Sequence, residues 1–395
     1  MNVLKSPLKL GLTVDFGNYG NDPQGRGEYV KWFAGDTSGD GPKMLHVYMI
    51  DRHVHTNPGI FTSDDVKRLE DQLGDFALFL EKFPQIDLVS FQFPYNQLSP
   101  ELKCVEDMDK IYGSEELNTQ RKRLLESGKI VDVEKSDEMV FSFFDILHKT
   151  NFNSLRYNPI VLFHGGGILP YDLINNKNDN YDLFIDLRRK LLSHQLDYHK
   201  SLLYQTKDKN VSVGWENIPI WDSDFHDSKD ASKRNIPGYQ WLTEHAFEDF
   251  ESRLTLGGVH IIDIAHVAMD STYYSQDKLK FFSMEMLRKE FEGVPDSLVS
   301  SEEYIRIASE FFKSRDMPTS EIIYHIADCN GIYGNNEGVV IGVEDSVINW
   351  RNLVNAIRQH TPGSYGAIEI QQGHLRENYD SHIRTSLRNF LSYCE

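Results

Sequence analysis

The chain has 395 residues, of which 40% are hydrophobic and 26% charged, and its formal net charge is −19. That composition excludes a disordered chain and suffices for a large core. The acidic balance repels nucleic acid and anionic membrane surfaces, and no apolar run nears the ~18–20 residues that cross a bilayer.

The opening segment, 1–11, has two lysines and no apolar core of signal-peptide length. Leu8 to Val14 alternates and stops at Asp15, which predicts a first strand. Residues 18–41 are glycine-rich and charged, a long loop that suits a lid or the rim of a site. Met44 to Ile50 predicts a second strand, followed by Asp51, His53 and His55. Thr62 or Ser63 is placed to cap a helix running to about Phe83, with Leu69, Leu73, Phe76 and Leu80 on one face and Pro84 ending it. Ile86 to Phe91 is a third strand, leading into Gln92-Phe93-Pro94-Tyr95. Glu101 to Lys149 is helical in character, with an apolar face in its second half.

Pro159 to Phe163 is a fourth strand, opening into His164 and three glycines. After a helix from Tyr181 to Tyr204, Val211 to Trp215 is a fifth strand ending in Glu216-Asn217. A helix is expected from Gln240 to Leu254, then a sixth strand from Val259 to Ile264 that carries Asp263, with His266 just beyond. Ser275 to Phe312 predicts two helices broken near Pro295. Glu321 to Tyr324 is a seventh strand, leading to His325 and Asp328. A glycine-rich loop, Gly331 to Gly342, precedes a helix from Asp345 to Gln359. Tyr365 to Ile368 is the eighth strand and reaches Glu369, and a helix from Ser381 to Tyr393 closes the chain.

Strands alternating with helices imply parallel strands joined by crossover helices, and eight such units close into a barrel. The expected fold is therefore an α/β (β/α)8 TIM barrel, one domain over 1–395, with the extra length in loops and inserted helices. Cys104, Cys329 and Cys394 are scattered and give neither a disulfide framework nor a zinc-finger spacing, so a reducing cytoplasm is the expected location.

In such a barrel the active site lies at the C-terminal ends of the strands. The polar residues at those ends are His164, Glu216, Asp263 with His266, His325 with Asp328, and Glu369. One strand-end histidine is usually a hydrogen-bonded structural group, and a lone Asp such as Asp263 is as readily the cap of the next helix. Five successive strands ending this way argue for a site. Two Glu, one Asp and one His converging on a point suit one divalent ion, Mn²⁺, Mg²⁺, Co²⁺ or Zn²⁺. Asp15, Gln92 and Asp328 are candidates for groups that orient the ligands, with capping of its own loop the other reading for Asp328. Trp215 and Trp221 are candidates to stack on a bound ring, with a core role as the plainer reading for Trp215.

Five stretches carry a resemblance: Phe163-His164-Gly165-Gly166, Trp215-Glu216-Asn217, Asp263-Ile264-Ala265-His266, Tyr324-His325-Ile326-Ala327-Asp328 and Ala367-Ile368-Glu369. Together they resemble the xylose-isomerase-like barrels, which include sugar isomerases, ketose 3-epimerases, inosose dehydratases and the endonuclease IV family. In the epimerase branch the matching residues hold one divalent ion, which implies Glu216, Asp263, His325 and Glu369 as ligands. The resemblance also implies that His266 contacts substrate hydroxyls. Where ketose epimerases carry an Arg after the strand-seven His, this chain has Gly331. The substrate class is therefore wider, a sugar or other small polyhydroxy carbonyl compound. The endonuclease branch needs a His where this chain has Gln92, and an Asp-x-His pair that the stretch from His325 to Glu369 lacks.

The implied chemistry is isomerase, epimerase or lyase chemistry. The ion polarises a carbonyl and stabilises a developing enediolate. Glu216 and Glu369 move the proton next to that carbonyl, His266 orients a hydroxyl, and His164 shuttles a proton or holds a second ion. The alternatives are an endonuclease IV-like metallohydrolase of phosphodiesters and a non-catalytic metal- or sugar-binding barrel. The expected partner is a small-molecule substrate, with neither nucleic acid nor membrane; a homo-oligomer is left open.

Overall fold

The computed structural model describes residues 6–14, 30–33, 41–47, 59, 61–93, 98–112, 114–164, 167–170, 181–217, 239–242, 256–275, 301–314, 322–330, 338–370 and 379–395. Eight parallel strands close a barrel. In chain order they are β1 (Lys9–Val14), β2 (Met44–Val47), β3 (Leu88–Gln92), β4 (Ile160–His164), β6 (Ser212–Glu216), β8 (Val259–Asp263), β9 (Ile322–Ile326) and β10 (Tyr365–Ile368). β1 pairs with both β2 and β10, which closes the ring. The α/β (β/α)8 expectation holds.

Alternation within each strand builds two separate cores. Met44, Leu88, Ile160, Leu162, Ile261, Ile323, Tyr365 and Ala367 pack together inside the barrel. Their neighbours, such as Leu45, Val89, Val161, Val213, Ile262 and Tyr324, belong to the larger core between strands and helices. Continuing the inward rows toward the strand ends gives His46, Gln92, His164, Glu216, Asp263, His325 and Glu369. The inside of the barrel thus changes from apolar to ionisable along its axis. Gly214 lies on the inward row below Glu216. A Cβ there would come 2.7 Å from Ile160 Cγ2 and 3.0 Å from Ile261 Cδ1, so glycine lets the neighbouring isoleucines fill the interior.

Among the described residues the helices include α1 (Ser63–Leu80), α2 (Ser99–Tyr112), α3 (Glu115–Glu126), α4 (Val133–Lys149), α5 (Tyr181–Thr206), α6 (Ile264–Ser275), α7 (Ser301–Ser314), α8 (Trp350–His360) and α9 (Tyr379–Tyr393). Thr62 caps α1 in a capping box with Asp65. The helical stretch expected over 101–149 is three helices, with Ser114 and Asp132 as the N-caps of α3 and α4.

Two expectations are corrected. Tyr239–Leu242 opens the predicted 240–254 helix but is a strand, β7, paired antiparallel with β5 (Gly167–Pro170). Its aromatic residues favour a strand once a partner is present, and tertiary pairing overrides a helical pattern in so short a run. Residues 243–255 lie outside the described residues. The helix after β8 does not wait for Ser275 but starts at Ile264, directly on the strand end. Its cap is Asp263, whose Oδ1 accepts from His266 N at 2.9 Å. The break near Pro295 lies outside the described residues. No helix among the described residues is long and apolar enough to cross a membrane.

Candidate metal centre

Strand register places the site. β4 and β6 align His164 with Glu216, and β8 and β9 align Asp263 with His325. Glu369 follows β10 and extends its ladder, its N–H donating to Ile326 O at 3.0 Å. Glu216, Asp263, His325 and Glu369 thus come from four adjacent strands. They are 3%, 4%, 0% and 6% exposed. One donor atom from each lies within 4.8 Å of the other three.

His325 Nδ1 is the centre of the group. It lies 3.0 Å from Glu216 Oε1 and 2.6 Å from Glu369 Oε2. A single ring N–H cannot satisfy two carboxylates, so the cluster has more acceptors than donors. Burial alone would push the His325 imidazole down, but Glu369 and Glu216 outweigh it and hold it well above its ordinary value. Burial opposes ionisation of both glutamates. The His325 charge overcomes it, with His164 helping at Glu216, and both carboxyls sit below the usual range. Asp263 goes the other way. Burial, reinforced by the Glu216 and Glu369 charges against the pull of His266, pushes its carboxyl up to about 7.

These donors fit a divalent cation. Two ligands bound at roughly 2.0–2.4 Å to one ion stand at most about 4.8 Å apart, and the four donor atoms meet that limit. The excess of buried carboxylate charge, visible in the raised Asp263, is what a cation would offset. Glu216, Asp263, His325 and Glu369 are the residues that would hold it.

The neighbouring residues orient this group. Asn217 ties two strand ends together. Its Oδ1 accepts from Asp263 N at 2.8 Å, and its Nδ2 donates to Asp263 O at 3.3 Å. The Asn217 carbonyl accepts from His266 Nδ1 at 2.7 Å. His266 is 5% exposed, with Nε2 3.9 Å from Asp263 Oδ2. His164 stands at the rim, its side chain 36% exposed. Its Nε2 lies 3.3 Å from Glu216 Oε2 and 3.2 Å from Gln92 Nε2. That nitrogen either accepts from the amide or donates to the carboxylate, so the ring tautomer decides which neighbour it holds.

Asp328 is bound to its own loop rather than to His325. Its oxygens accept from Cys329 N at 2.8 Å, Gly342 N at 2.7 Å, Ser346 Oγ at 2.5 Å and Trp350 Nε1 at 2.8 Å. Trp215 is core, packed against Phe163 and His199. Asp15, His53, His55 and Trp221 lie outside the described residues.

Sequence reasoning passed over His46 and the role of Asn217. His46 is fully buried inside β2, with Nδ1 2.9 Å from Ser90 Oγ and its ring 4.4 Å from the ring of His325. Burial and the His325 charge push it down to about 4, so it is neutral at pH 7. The signal for it was available: Met44-Leu45-His46-Val47 alternates, which sets His46 on the same row as Met44.

No family model and no curated protein matches the sequence. Solved structures with a similar fold include D-psicose 3-epimerase from Clostridium cellulolyticum H10, crystallised with D-tagatose. The identity is 10%, the TM-score 0.46, and the match covers 98% of this chain and 99% of that one. D-allulose 3-epimerase from Methylomonas sp. gives 10%, 0.45, 98% and 99%. A xylose isomerase domain protein from Planctomyces limnophilus gives 10%, 0.42, 97% and 97%.

Proposed function

We propose that the protein is a divalent-metal-dependent isomerase or epimerase, or a related lyase, acting on a sugar or other small polyhydroxy carbonyl compound. The observation that carries this reading is the buried group of three carboxylates and one imidazole at four adjacent strand ends, with donor atoms within 4.8 Å of one another.

A bound divalent ion supplies Lewis-acid polarisation of a carbonyl oxygen. The chain's own residues supply the proton transfers. Glu216 and Glu369 approach His325 Nδ1 through one oxygen each. Each keeps a second oxygen to take or return the proton on the carbon next to the carbonyl. Their carboxyls sit below the usual range, so both are ionised at pH 7. His266, tethered through Nδ1 to the Asn217 carbonyl, presents Nε2 toward Asp263 and orients a substrate hydroxyl. His164, the most exposed of the set, relays a proton between Glu216 and the rim.

The test is metal analysis of the purified protein, followed by a screen of ketoses, aldoses and cyclitols in D₂O. The expected result is about one or more equivalents of divalent ion, and deuterium at the carbon beside the carbonyl of at least one compound. Metal-loaded protein that exchanges no compound of a broad screen would count against the isomerase reading.

A further inference from the structure

The inward row of β2 places His46 beside the candidate centre, and its use is not explained by packing. Its Nε2 is buried without a hydrogen-bond partner, in a residue with 0% exposure. An orphaned buried imidazole nitrogen is costly unless something binds there. A carboxylate oxygen, Glu369 Oε1, lies 3.9 Å from it. That gap is too long for a hydrogen bond, yet it lies within the span of two ligands on one ion. The donor atoms of His46, His325 and Glu369 all lie within 4.8 Å of one another.

We propose that His46 and Glu369 hold a second divalent cation, with Glu369 bridging it to the first through the oxygen that the one-ion reading leaves free, so that Glu216 is the base when both ions are bound. The proposal rests on the one-ion reading above and adds a ligand from β2. Glu216 and Asp263 belong to the first ion alone, His46 to the second alone, and His325 lies between them. Ser90 supports this assignment. When Nδ1–H donates to Ser90 Oγ, the Nε2 lone pair faces the site, and ligating histidines are characteristically oriented in this way. Charge supports it too: three carboxylates against one divalent ion leave a formal charge of −1 in a buried site. Imidazole as the only private ligand favours Co²⁺, Zn²⁺ or Mn²⁺ over Mg²⁺. The remaining positions are open to water or to substrate oxygens, so the second ion would take the vicinal hydroxyls of the substrate class proposed above.

The experiment is titration of chelator-stripped full-length protein with Co²⁺ and, separately, Mn²⁺. It is read by calorimetry, by metal analysis after dialysis and, for Mn²⁺, by electron paramagnetic resonance. Wild type should take two equivalents, the second weaker, and give the spectrum of a spin-coupled Mn²⁺ pair. His46→Gln should keep the tight equivalent and lose the weak one and the coupling. Ser90→Ala leaves the ligand in place and guards against a folding defect in His46→Gln. It should weaken the second equivalent by about 10–100-fold. One equivalent in wild type, unchanged in His46→Gln and weakened in Asp263→Asn, would overturn the second ion and leave the first standing. No binding at all would overturn both. Two equivalents in His46→Gln, or an unchanged second affinity in Ser90→Ala, would also overturn the second ion.

Discussion

At the scale of the residue, the three carboxylates of the centre have different work. In the one-ion mechanism proposed above, Glu216 and Glu369 are ionised and each has an oxygen to spare for substrate, whereas Asp263 commits Oδ1 to capping α6. Glu216→Gln and Glu369→Gln should therefore lower turnover by at least ~10²–10⁴-fold, the usual range for loss of a general acid or base. Excess Mn²⁺ should not restore either one. Asp263→Asn should act through the metal and be partly rescued by Mn²⁺. Equal rescue of all three, in a turnover assay against Mn²⁺ concentration, would show that the glutamates only hold the ion. Asp263 also carries a pH signature. Its folded-state carboxyl is raised from 3.8 to about 7 by burial in the metal-free protein. The stability it contributes is present below pH 3.8 and lost as pH rises through about 7. His46, lowered to about 4, has the opposite slope between pH 4 and 6.5. The two are separated by comparison with Asp263→Asn, which removes only the first. Metal-free wild type should lose up to about 4 kcal/mol more than this variant between pH 4 and pH 8, taking ~1.4 kcal/mol per pKa unit. Urea unfolding of both proteins at the two pH values checks it, and parallel curves would remove the claim.

At the scale of the element, the loop after β9 is held by one buried carboxylate. Asp328 accepts from two backbone N–H groups, the Ser346 hydroxyl and the Trp350 indole at the start of α8. Asp328→Ala leaves those donors unpaired in a buried place, so a loss of about 3 kcal/mol is expected. It should be seen as a lower urea midpoint, with metal affinity within about threefold of wild type, since Asp328 does not touch the four donors. A large loss of metal affinity with normal stability would place it in the site instead. This residue also shows what the sequence makes legible. The strand ends from β4 to β10 were readable because apolar runs stop on ionisable residues, and register then brings those residues together. Asp328 carries the same signature for another reason, the stapling of a loop, and the one-dimensional pattern does not separate the two. His46 escaped because attention to strand ends overlooks an inward residue in mid-strand. β7 escaped because its pairing partner, β5, lies some 70 residues earlier in the chain.

At the scale of the molecule, the closed barrel makes the centre a property of the whole fold. The proposed ligands run from Glu216 to Glu369, on strands locked side by side, and β1 against β10 completes the ring. The net charge of −19 bears on what can reach the mouth of the barrel. Pure protein is expected not to nick abasic duplex DNA, because the charge opposes a polyanion and Gln92 offers an amide beside His164 rather than a further imidazole ligand. Strong metal-dependent nicking, abolished by Glu216→Gln, would reverse that expectation. The ion itself should report on folding. An unfolded chain scatters four ligands over more than 150 residues and has no site, so binding to the folded state alone stabilises it by mass action. At Mn²⁺ one hundred times its dissociation constant the gain is about 2.7 kcal/mol, and about 4.1 kcal/mol at one thousand times. A chain of this size should show that as a shift of only a few degrees in Tm, so chemical denaturation at fixed Mn²⁺ is the better measure. The gain should follow the logarithm of Mn²⁺ concentration in wild type, begin only at higher Mn²⁺ in Asp263→Asn, and persist in Asp328→Ala. The same slope in Asp263→Asn at the same concentrations would mean that the ion binds elsewhere on this acidic surface, and the four-residue centre would lose its metal.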